Sequence, residues 1–424
     1  MNVRRVGDLG PDERRAIFQR DAGVEAVRDD VAEIVGRVRE EGDVAVREFA
    51  EEFDGVTVGN VDITDAAERA AAEIDDEIRA AIEDAAENVR TFHAAQHPED
   101  WREDFEGREL GRRYRPIESA GVYVPGGTAA YPSSALMGVV PAKVAGVEHV
   151  AVATPPADEI NPVTLAAIHI AGADVVYQVG GAQAIAALAY GTESVDAVDK
   201  VVGPGNRWVT AAKSIVRGDV AIDFLAGPSE IMVVADETAD PELVAADLVA
   251  QAEHDENASV VAVTDDEATA EAVAAAVDEQ AGEREREDVI RAALGNDASG
   301  VFLARSMSEV VLFAEEYAAE HLSIVAANDE SILDRIPSAG SAFLGPDSAV
   351  AAGDYASGPN HVLPTGGHAR VTGGLSVDSF LRSTTVQRLS AESLADIGET
   401  ITTLADAEGL EAHAESVRKR LEDN

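Results

Sequence analysis

Cysteine is absent from this chain of 424 residues. Its absence excludes disulfide bonds, thiolate metal ligands and a cysteine nucleophile. Aromatic residues are also scarce: they make up 4% of the chain, although hydrophobic residues as a whole make up 46%. Small aliphatic residues, chiefly alanine and valine, must therefore fill the core, which is typical of the close-packed helices and buried strands of an α/β protein.

Positively charged residues are also scarce. The chain has 33 Lys and Arg against 80 Asp and Glu, which gives a formal net charge of −47. Such a surface repels nucleic acid. It also destabilises a compact fold by self-repulsion at low salt, and concentrated salt screens that repulsion. We interpret the composition as adaptation to a salt-rich cytoplasm, as in a halophile, and favour this over an ordinary acidic soluble protein.

Long apolar runs are missing as well. No stretch approaches the roughly 18 apolar residues of a membrane-spanning helix, and no apolar segment follows the N-terminal charges of MNVRR. The sequence therefore predicts a cytoplasmic protein with neither export nor membrane insertion. A length of 424 residues predicts two or three domains.

Hydrophobic patterning divides the chain into a helical lead-in, two α/β regions and a helical arm. Residues 11–98 repeat apolar residues three and four apart, which indicates helices. Valine-rich strands alternate with alanine-rich helices over about 109–225 and again from about 229, which predicts parallel α/β units. From 388 onward the pattern indicates helices separated by a glycine, with an apolar stripe too narrow to fold alone. We expect this arm to pack on another surface, such as a second subunit.

Four glycine-rich turns are predicted at strand ends, at 123–134, 179–184, 202–206 and 226–230. None has the G-x-G-x-x-G pattern. Loops after parallel strands bind ligands in open α/β folds, and glycine lets a ligand approach the backbone. Each turn alone is more simply a tight turn, but four together favour a dinucleotide site.

The chain has nine histidines, and most of them suit structural positions. His93 and His97 share one helix face, but His97 precedes a proline at a predicted helix end and no third ligand is near. Metal binding by this pair is therefore not favoured. His149 lies at the entrance of a predicted strand and His169 in an apolar helix, where a structural role is the simpler interpretation.

His254 is a stronger candidate ligand. Gln251 lies three residues earlier on the same predicted helix face, and the two side chains can form half of a zinc shell. Asp354 and His361 lie in AAGDYASGPNHVLPTGG, a stretch so rich in glycine and proline that it predicts neither a regular helix nor a strand. Such a loop is held in shape for a reason. His413 lies in the C-terminal helical arm.

Two copies of Ala-Glu-His, at 252–254 and 319–321, belong to a longer series of motifs. In chain order these are YVPGG, GGAQAIAALAYGT, VGPGN, AGPSE, QAEHD, EHL, GDYASGPNHVLPT and AEGLEAH. In order and approximate spacing the series resembles the histidinol dehydrogenase family, and the resemblance covers almost the whole chain. Members of this family oxidise L-histidinol to L-histidine through the aldehyde, the last step of histidine biosynthesis. They use two NAD in succession and a zinc ion, as homodimers.

The resemblance also implies a domain organisation. It predicts an α/β fold with two incomplete Rossmann-like domains, similar to those of aldehyde dehydrogenases, and small helical N- and C-terminal extensions. The implied division is 1–20 as an N-terminal extension, 21–118 with 228–372 as the first α/β domain, 119–227 as the second, NAD-contacting domain, and 373–424 as an arm that packs on the partner subunit.

Residue by residue, the resemblance assigns three kinds of site. Glu320 and His321 fall on the family's catalytic pair. The implied zinc ligands are Gln251, His254, Asp354 and His413, the last from the partner subunit. The implied substrate contacts are Ser229, His361 and Glu408 together with Gln251, His254, His321, Asp354 and His413. The implied NAD contacts are Tyr123, Gln183 and Asn206.

The chemistry agrees with these residue types. An imidazole with an ordinary pKa of about 6.5 suits removal of the alcohol proton, so His321 is expected to be the base. Glu320 is expected to deprotonate the water that adds to the aldehyde. Because the chain has no cysteine to form a thiohemiacetal, the second oxidation would run through a hydrate. Zinc would mainly orient the substrate's ring and amino group.

Two other function classes remain open from the sequence. A zinc hydrolase could use the same ligands with Glu320 activating water, but the glycine-rich turns would then be superfluous. A catalytically silent, metal-stabilised scaffold would leave Glu320 and His321 without a purpose. Among substrates of related enzymes, a sulfonated diol would need other groups where Glu408 and His413 stand, so an imidazole-bearing substrate is favoured.

The net charge of −47 predicts that the fold and its activity depend on salt. Lowering salt from molar concentration to about 0.1 M increases the Debye length to about 10 Å, so that like charges on the surface repel one another over a longer distance. Thermal unfolding followed across this series should show a midpoint that rises with salt. A midpoint that stays flat would mean that the acidic surface is not a salt adaptation.

Overall fold

Parallel strands form the two larger sheets of the structure. The structure is a computed structural model and describes residues 1–20, 23–126 and 130–422. In chain order the strands are β1 (Val3–Arg5), β2 (Trp101–Phe105), β3 (Arg108–Pro116), β4 (Ser119–Tyr123), β5 (His149–Thr154), β6 (Val175–Gln178) and β7 (Lys200–Val202). They continue with β8 (Ala221–Ile222), β9 (Glu230–Ala235), β10 (Ser259–Thr264), β11 (Gly300–Leu303), β12 (His321–Val325), β13 (Ser341–Leu344) and β14 (Leu381–Leu389).

Helices connect these strands. The first group is α1 (Pro11–Phe18), α2 (Arg28–Glu41), α3 (Asp43–Phe49), α4 (Thr64–Glu73), α5 (Asp76–Ala94), α6 (Pro132–Ala145), α7 (Pro162–Ala171), α8 (Gly181–Tyr190) and α9 (Arg207–Val216). The second group is α10 (Pro241–Ala252), α11 (Glu267–Ala281), α12 (Glu287–Leu294), α13 (Met307–Tyr317), α14 (Asp329–Leu333), α15 (Val350–Tyr355), α16 (Ala391–Ala407) and α17 (Glu411–Glu422). Within the described ranges no helix is long and apolar enough to cross a membrane.

The chain folds as two units, of which the first contains residues 1–96 and 118–380. This unit holds both parallel sheets, one of six strands in the order β1-β11-β10-β9-β12-β13 and one of five in the order β6-β5-β4-β7-β8. Strands β9 and β10 are buried along their whole length, as expected for the centre of a parallel sheet covered on both faces. The predicted α/β class is confirmed.

The helical lead-in packs around the five-stranded sheet. Helix α2 contacts α8 and α9, α4 contacts α7, and α5 contacts α6. Helices α2, α8 and α9 share a core of small and branched residues, with Val31, Val38, Ile185 and Val209 among its buried members. This packing follows from the three-and-four spacing of apolar residues in the lead-in. The division into 21–118 with 228–372 and 119–227 remains a prediction.

The second unit contains residues 97–117 and 381–424. In it β14 pairs antiparallel with β3 over nine residues, and β3 pairs with β2. The sequence did not predict this sheet because β2 is exposed along its whole length and shows no hydrophobic alternation. The two helices predicted beyond 388 are confirmed as α16 and α17, and Gly409 with φ of 74° lies between them.

A buried ion pair fixes the turn that follows β7. Lys213 and Asp223 have side chains that are 4% and 1% exposed, with Nζ 2.7 Å from Oδ1. Lys213 also donates to the carbonyl oxygen of Gly203 at 2.5 Å, and Asp223 accepts from the N–H of Gly203 at 2.9 Å. Gly203 has φ of 112°, and a Cβ there would stand 2.3 Å from the carbonyl oxygen of Tyr123. Only glycine therefore fits this turn.

We predict that Lys213→Met lowers the free energy of unfolding by about 3–5 kcal/mol, because Asp223 is left as an unpaired buried charge. Adding Asp223→Leu removes that charge and should restore part of the loss. Denaturant unfolding of both variants at fixed high salt measures the difference. Equal stability of the single and double variants would contradict this role for the pair.

Candidate active site

Nine of the residues expected at the site line one large cleft in the first unit. Its volume of about 2090 Å³ exceeds the roughly 300–1,000 Å³ of ordinary ligand pockets and has room for a dinucleotide with a small substrate. The nine are Tyr123, Gln183, Asn206, Ser229, His254, Glu320, His321, Asp354 and His361. Gln251 is buried and is not part of the lining. Glu408 and His413 belong to the second unit, where both side chains are exposed.

The two parallel sheets contribute opposite strand ends to the cleft. Tyr123 is the last residue of β4, so the five-stranded sheet contributes its carboxyl end. The six-stranded sheet contributes its amino end, because the lining residues Glu230, Ser259 and His321 are the first residues of β9, β10 and β12. The turn predicted at 226–230 thus leads into β9 and lies at the amino end of that sheet. This differs from the expectation that ligand loops follow strands.

The expected cofactor contacts lie on the five-stranded side. The hydroxyl of Tyr123 accepts a hydrogen bond from the first N–H of α8 at 3.1 Å, and burial raises the pKa of Tyr123 to about 12. Gln183 is buried in the first turn of α8. Asn206 caps α9, and its Oδ1 accepts from two N–H groups of that helix. Of the turn predicted at 123–134, residues 127–129 lie outside the described residues.

The expected catalytic pair lies on the six-stranded side. Glu320 and His321 are 6% and 4% exposed. Oε2 of Glu320 accepts from the backbone N–H of Glu230 at 2.7 Å, and Nδ1 of His321 lies 3.0 Å from the carbonyl oxygen of Glu230. Nδ1 is also 3.6 Å from Oε2 of Glu320, and Nε2 is 3.4 Å from Oδ1 of Asp354. The two neighbouring side chains thus meet at the backbone of Glu230, and Nε2 of His321 is directed toward Asp354; that the two groups serve different protons remains a prediction.

A strained turn precedes the pair. Helix α13 ends at Tyr317, and Ala318 then adopts φ of 51°, a left-handed conformation that costs a non-glycine residue about 1 kcal/mol or more. The carbonyls of Ala319 and Glu320 accept from N–H groups that lead into β13, each at 2.9 Å. The backbone under the pair is thus fixed by the neighbouring strand.

Opposing charges shift the pKa values in this cluster. Burial favours the neutral imidazole, but the carboxylates of Glu320 and Asp354 outweigh it and hold the pKa of His321 well above its ordinary value. Burial raises the pKa of Glu320, and the attraction of His321 only partly offsets this. Burial alone would raise the pKa of Asp354, but the neighbouring imidazoles, that of His321 first, hold it below its ordinary value. Titratable groups with shifted pKa values clustered in a cleft are typical of a functional site.

The loop rich in glycine and proline is held by specific hydrogen bonds. Nδ1 of His361 bonds to the carbonyl oxygen of Asp354 at 2.9 Å, and the Asn360 amide donates to the carbonyl oxygen of Met137 at 2.7 Å. The prediction that no helix uses this stretch is wrong for its first residues, because α15 reaches Tyr355 and includes Asp354. A glycine one position before Asp354 lets this short helix lie against the ring of Phe343.

The expected metal ligands of the first unit are Gln251, His254 and Asp354. His254 is not on the same helix as Gln251, which is a correction: α10 ends at Ala252, and His254 lies in the following turn with its N–H on the carbonyl of Gln251. The Nε2 atom of Gln251 is buried without a hydrogen-bond partner. Among the described residues, no group of three or more His, Cys, Asp or Glu side chains is arranged to hold a metal ion.

The structural histidines lie where the sequence predicts. His93 is buried near the end of α5 with Nδ1 on the carbonyl of Val89, and α5 ends before His97. His149 begins β5 and His169 lies in α7.

The sequence analysis does not identify the buried charged residues next to the Glu320–His321 pair. Glu230 is the last residue of the motif AGPSE, but the motif itself indicates no role for it. Arg20, which pairs with it, belongs to no motif and carries no sequence signal. Lys213 could have been noticed, because a lysine within the apolar face of a helix in a chain with so few lysines suggests a specific partner.

Comparison with known proteins gives consistent results. The family model described as histidinol dehydrogenase matches residues 18–421. Histidinol dehydrogenases of Haloarcula marismortui and Halobacterium salinarum are 81% and 72% identical over 422 and 424 residues, with 100% of each chain covered. A crystal structure of histidinol dehydrogenase from Elizabethkingia anophelis has a TM-score of 0.94 at 38% identity, covering 100% of this chain and 98% of that chain. The two archaea are halophilic, which agrees with the salt adaptation predicted from the charge.

Proposed function

The chain belongs to the histidinol dehydrogenase family, whose members are NAD-dependent oxidoreductases, and we propose that it oxidises L-histidinol to L-histidine in the cleft of its first unit. The reaction removes four electrons in two steps, through the aldehyde, with two NAD in succession and a zinc ion. The observation that carries the proposal is the buried Glu320–His321 pair, which faces a cleft large enough for a dinucleotide and a small substrate.

His321 is suited to the first proton transfer by its hydrogen bonds. When Nδ1 carries the proton and donates it to the carbonyl oxygen of Glu230, the neutral ring leaves the lone pair of Nε2 directed away from that carbonyl. Nε2 is buried without a hydrogen-bond partner. In the neutral ring this atom would accept the alcohol proton as hydride leaves the adjacent carbon, and the Asp354 carboxylate, 3.4 Å from Nε2, would stabilise the imidazolium that forms.

Glu320 is suited to the second proton transfer. Its Oε2 is held by the N–H of Glu230, so the carboxyl group has a fixed orientation beside the cleft. Burial raises its pKa, which brings the carboxyl group closer to the pH at which it both accepts and releases a proton. It would take a proton from the water that adds to the aldehyde, and the resulting hydrate loses the second hydride. Because the chain contains no cysteine, a thiohemiacetal route is closed.

The cofactor would occupy the five-stranded side of the cleft. Tyr123, Gln183 and Asn206 lie there at the carboxyl end of parallel strands, the usual position for a dinucleotide in an α/β fold. Gly203 lets the backbone come close to a ligand, and the Lys213–Asp223 pair fixes its conformation. Bound NAD would supply the hydride acceptor in both steps.

The proposed zinc ligands of the first unit have donor atoms that suit a metal accepting nitrogen and oxygen. His254 offers an imidazole nitrogen, Asp354 a carboxylate oxygen and the buried Gln251 an amide oxygen for such a metal. Zinc would act as a Lewis acid that holds the substrate's imidazole and amino group. Ser229 and His361 also line the cleft and would contact the substrate.

We further propose a homodimer in which His413 and Glu408 of one chain complete the site of the other. Both residues are exposed in the second unit. Leu404 and Leu410, which flank Glu408 in sequence, are also 60% and 43% exposed, and a partner surface would cover them. A twofold axis would let each arm serve the other chain's site.

The direct test of the reaction is its stoichiometry. We expect two NADH per L-histidinol with little free aldehyde, because the base and the water-activating carboxylate share one cleft. The measurement is absorbance of NADH at complete consumption of a limiting amount of substrate, with aldehyde trapping in parallel. One NADH per substrate with aldehyde released would contradict the proposal. In the same assay Glu320→Gln should retain more of the first hydride transfer than of the second, because only the second needs added water.

The shared site predicts complementation between two inactive variants. Glu320→Gln and His413→Asn chains are each expected to be nearly inactive in complete turnover. When they are unfolded and refolded together, random pairing makes about half of the dimers hybrids, and each hybrid contains one site without a lesion. About a quarter of wild-type activity should return. If mixed dimers are confirmed by mass and no activity returns, His413 serves its own chain.

A further inference from the structure

One residue, Glu230, contacts both members of the catalytic pair through its backbone. Its N–H donates to Oε2 of Glu320 at 2.7 Å, and its carbonyl oxygen lies 3.0 Å from Nδ1 of His321. The orientation of the two peptide groups that flank this residue therefore sets where the carboxylate and the imidazole point. Whatever fixes Glu230 also fixes the two groups proposed to move protons.

The side chain of Glu230 is fixed by an ion pair with Arg20. Nε and Nη2 of Arg20 lie 2.6 and 3.0 Å from Oε1 and Oε2 of Glu230, in the parallel two-bond arrangement of guanidinium with carboxylate. The side chains are 7% and 3% exposed. Oε1 of Glu230 also accepts from the N–H of Gly366 at 2.8 Å. The carboxylate thus has partners on two sides and cannot rotate freely.

Arg20 is itself held in place by the first unit. Its Nη1 donates to the carbonyl oxygen of Ile17 at 2.9 Å, and its Nη2 donates to that of Tyr317 at 3.0 Å. The guanidinium carbon lies 3.7 Å from the centre of the Tyr317 ring. Tyr317 is the residue before the strained Ala318, so the same arginine also contacts the turn that leads into Glu320.

We propose that Arg20 and Glu230 are positioning residues for the catalytic pair: their buried ion pair orients the Glu230 backbone that holds Glu320 and His321. This inference rests on the proposed function. Stability alone is a weak reason for such a pair, because a buried ion pair is often no more stable than a hydrophobic replacement of similar size. The ion pair fixes the residue whose backbone contacts both proposed proton-transfer groups, and a hydrophobic pair could not orient that residue by hydrogen bonds.

The kinetic test separates positioning from stability with two variants. Arg20→Met leaves Glu230 as an unpaired buried charge and is expected to lose stability as well as activity. The double variant Arg20→Met/Glu230→Gln removes both charges and keeps an acceptor for the N–H of Gly366, so most of the stability should return. Its kcat should nevertheless stay about 100-fold below wild type, since a misplacement of about 1 Å in a catalytic group has an effect of this size. KM for L-histidinol should change by less than about threefold, because none of the residues proposed to contact the substrate or zinc is substituted.

The matched control is Arg14→Met. Arg14 lies in α1, pairs with Glu316 and stacks on Phe18, and has no contact with Glu230. Its kcat and KM should match wild type within about twofold. If the double variant regains both stability and wild-type kcat, the pair is only structural and the proposal is overturned.

A second readout does not require turnover. In wild-type protein labelled with ¹⁵N-histidine, the ring resonances of His321, identified by their loss in His321→Asn, should show Nδ1 protonated and hydrogen-bonded. In Glu230→Gln and in the double variant this pattern should be lost or averaged. A wild-type His321 with Nδ1 unprotonated, or a pattern unchanged in the variants that fold, would refute positioning. If wild type forms no NADH from L-histidinol, the proposed function fails, and the resonances still decide the positioning question.

Discussion

The burial of the Glu230 carboxylate requires a fixed positive partner, and the geometry of the six-stranded sheet at its amino end depends on that requirement. A lone carboxylate at this depth would lose its hydration without compensation, whereas the two hydrogen bonds from Arg20 and one from Gly366 replace it. With the side chain held on one side of β9, the backbone of Glu230 presents its N–H and carbonyl to Glu320 and His321 on β12. The side chains of Glu320 and His321 are thus both held by the backbone of one residue.

The cleft exists because two parallel sheets turn opposite ends toward it. The carboxyl ends of the five strands provide glycine-rich turns and a helix cap, which suit a dinucleotide. The amino end of β12 carries both proposed proton-transfer groups, Glu320 and His321, and it lies beside the amino end of β9, because His321 pairs in register with Ile231. Hydride acceptor and proton acceptors would therefore approach one substrate from different sheets, and each sheet can fix its own group without competing for space.

Charge is used sparingly inside a molecule that is strongly acidic outside. The chain has a formal net charge of −47, yet its buried acids close to the site are matched by cations or by backbone donors. Lys200 donates to the carbonyl oxygen of Ser379 at 2.7 Å, and Lys213 holds the turn at Gly203. The excess carboxylates in solvent repel one another, and salt screens this repulsion. Salt screens the buried pairs much less. Salt should thus act on stability far more than on the geometry of the site.

The sequence by itself determined the α/β class, the alternation of strands and helices in the first unit, the family and the identity of the residues on the cleft. It could do so because hydrophobic period and motif order are local properties. It did not reveal the antiparallel sheet of β2, β3 and β14, in which β2 is fully exposed and carries no such period, nor the short helix that contains Asp354. Only the tertiary structure showed that the amino end of one sheet faces the carboxyl end of the other, and that Arg20 pairs with Glu230 across 210 positions. Ion pairing depends on distance in space, and nothing in the spacing of residues along a chain encodes which buried charge will meet which.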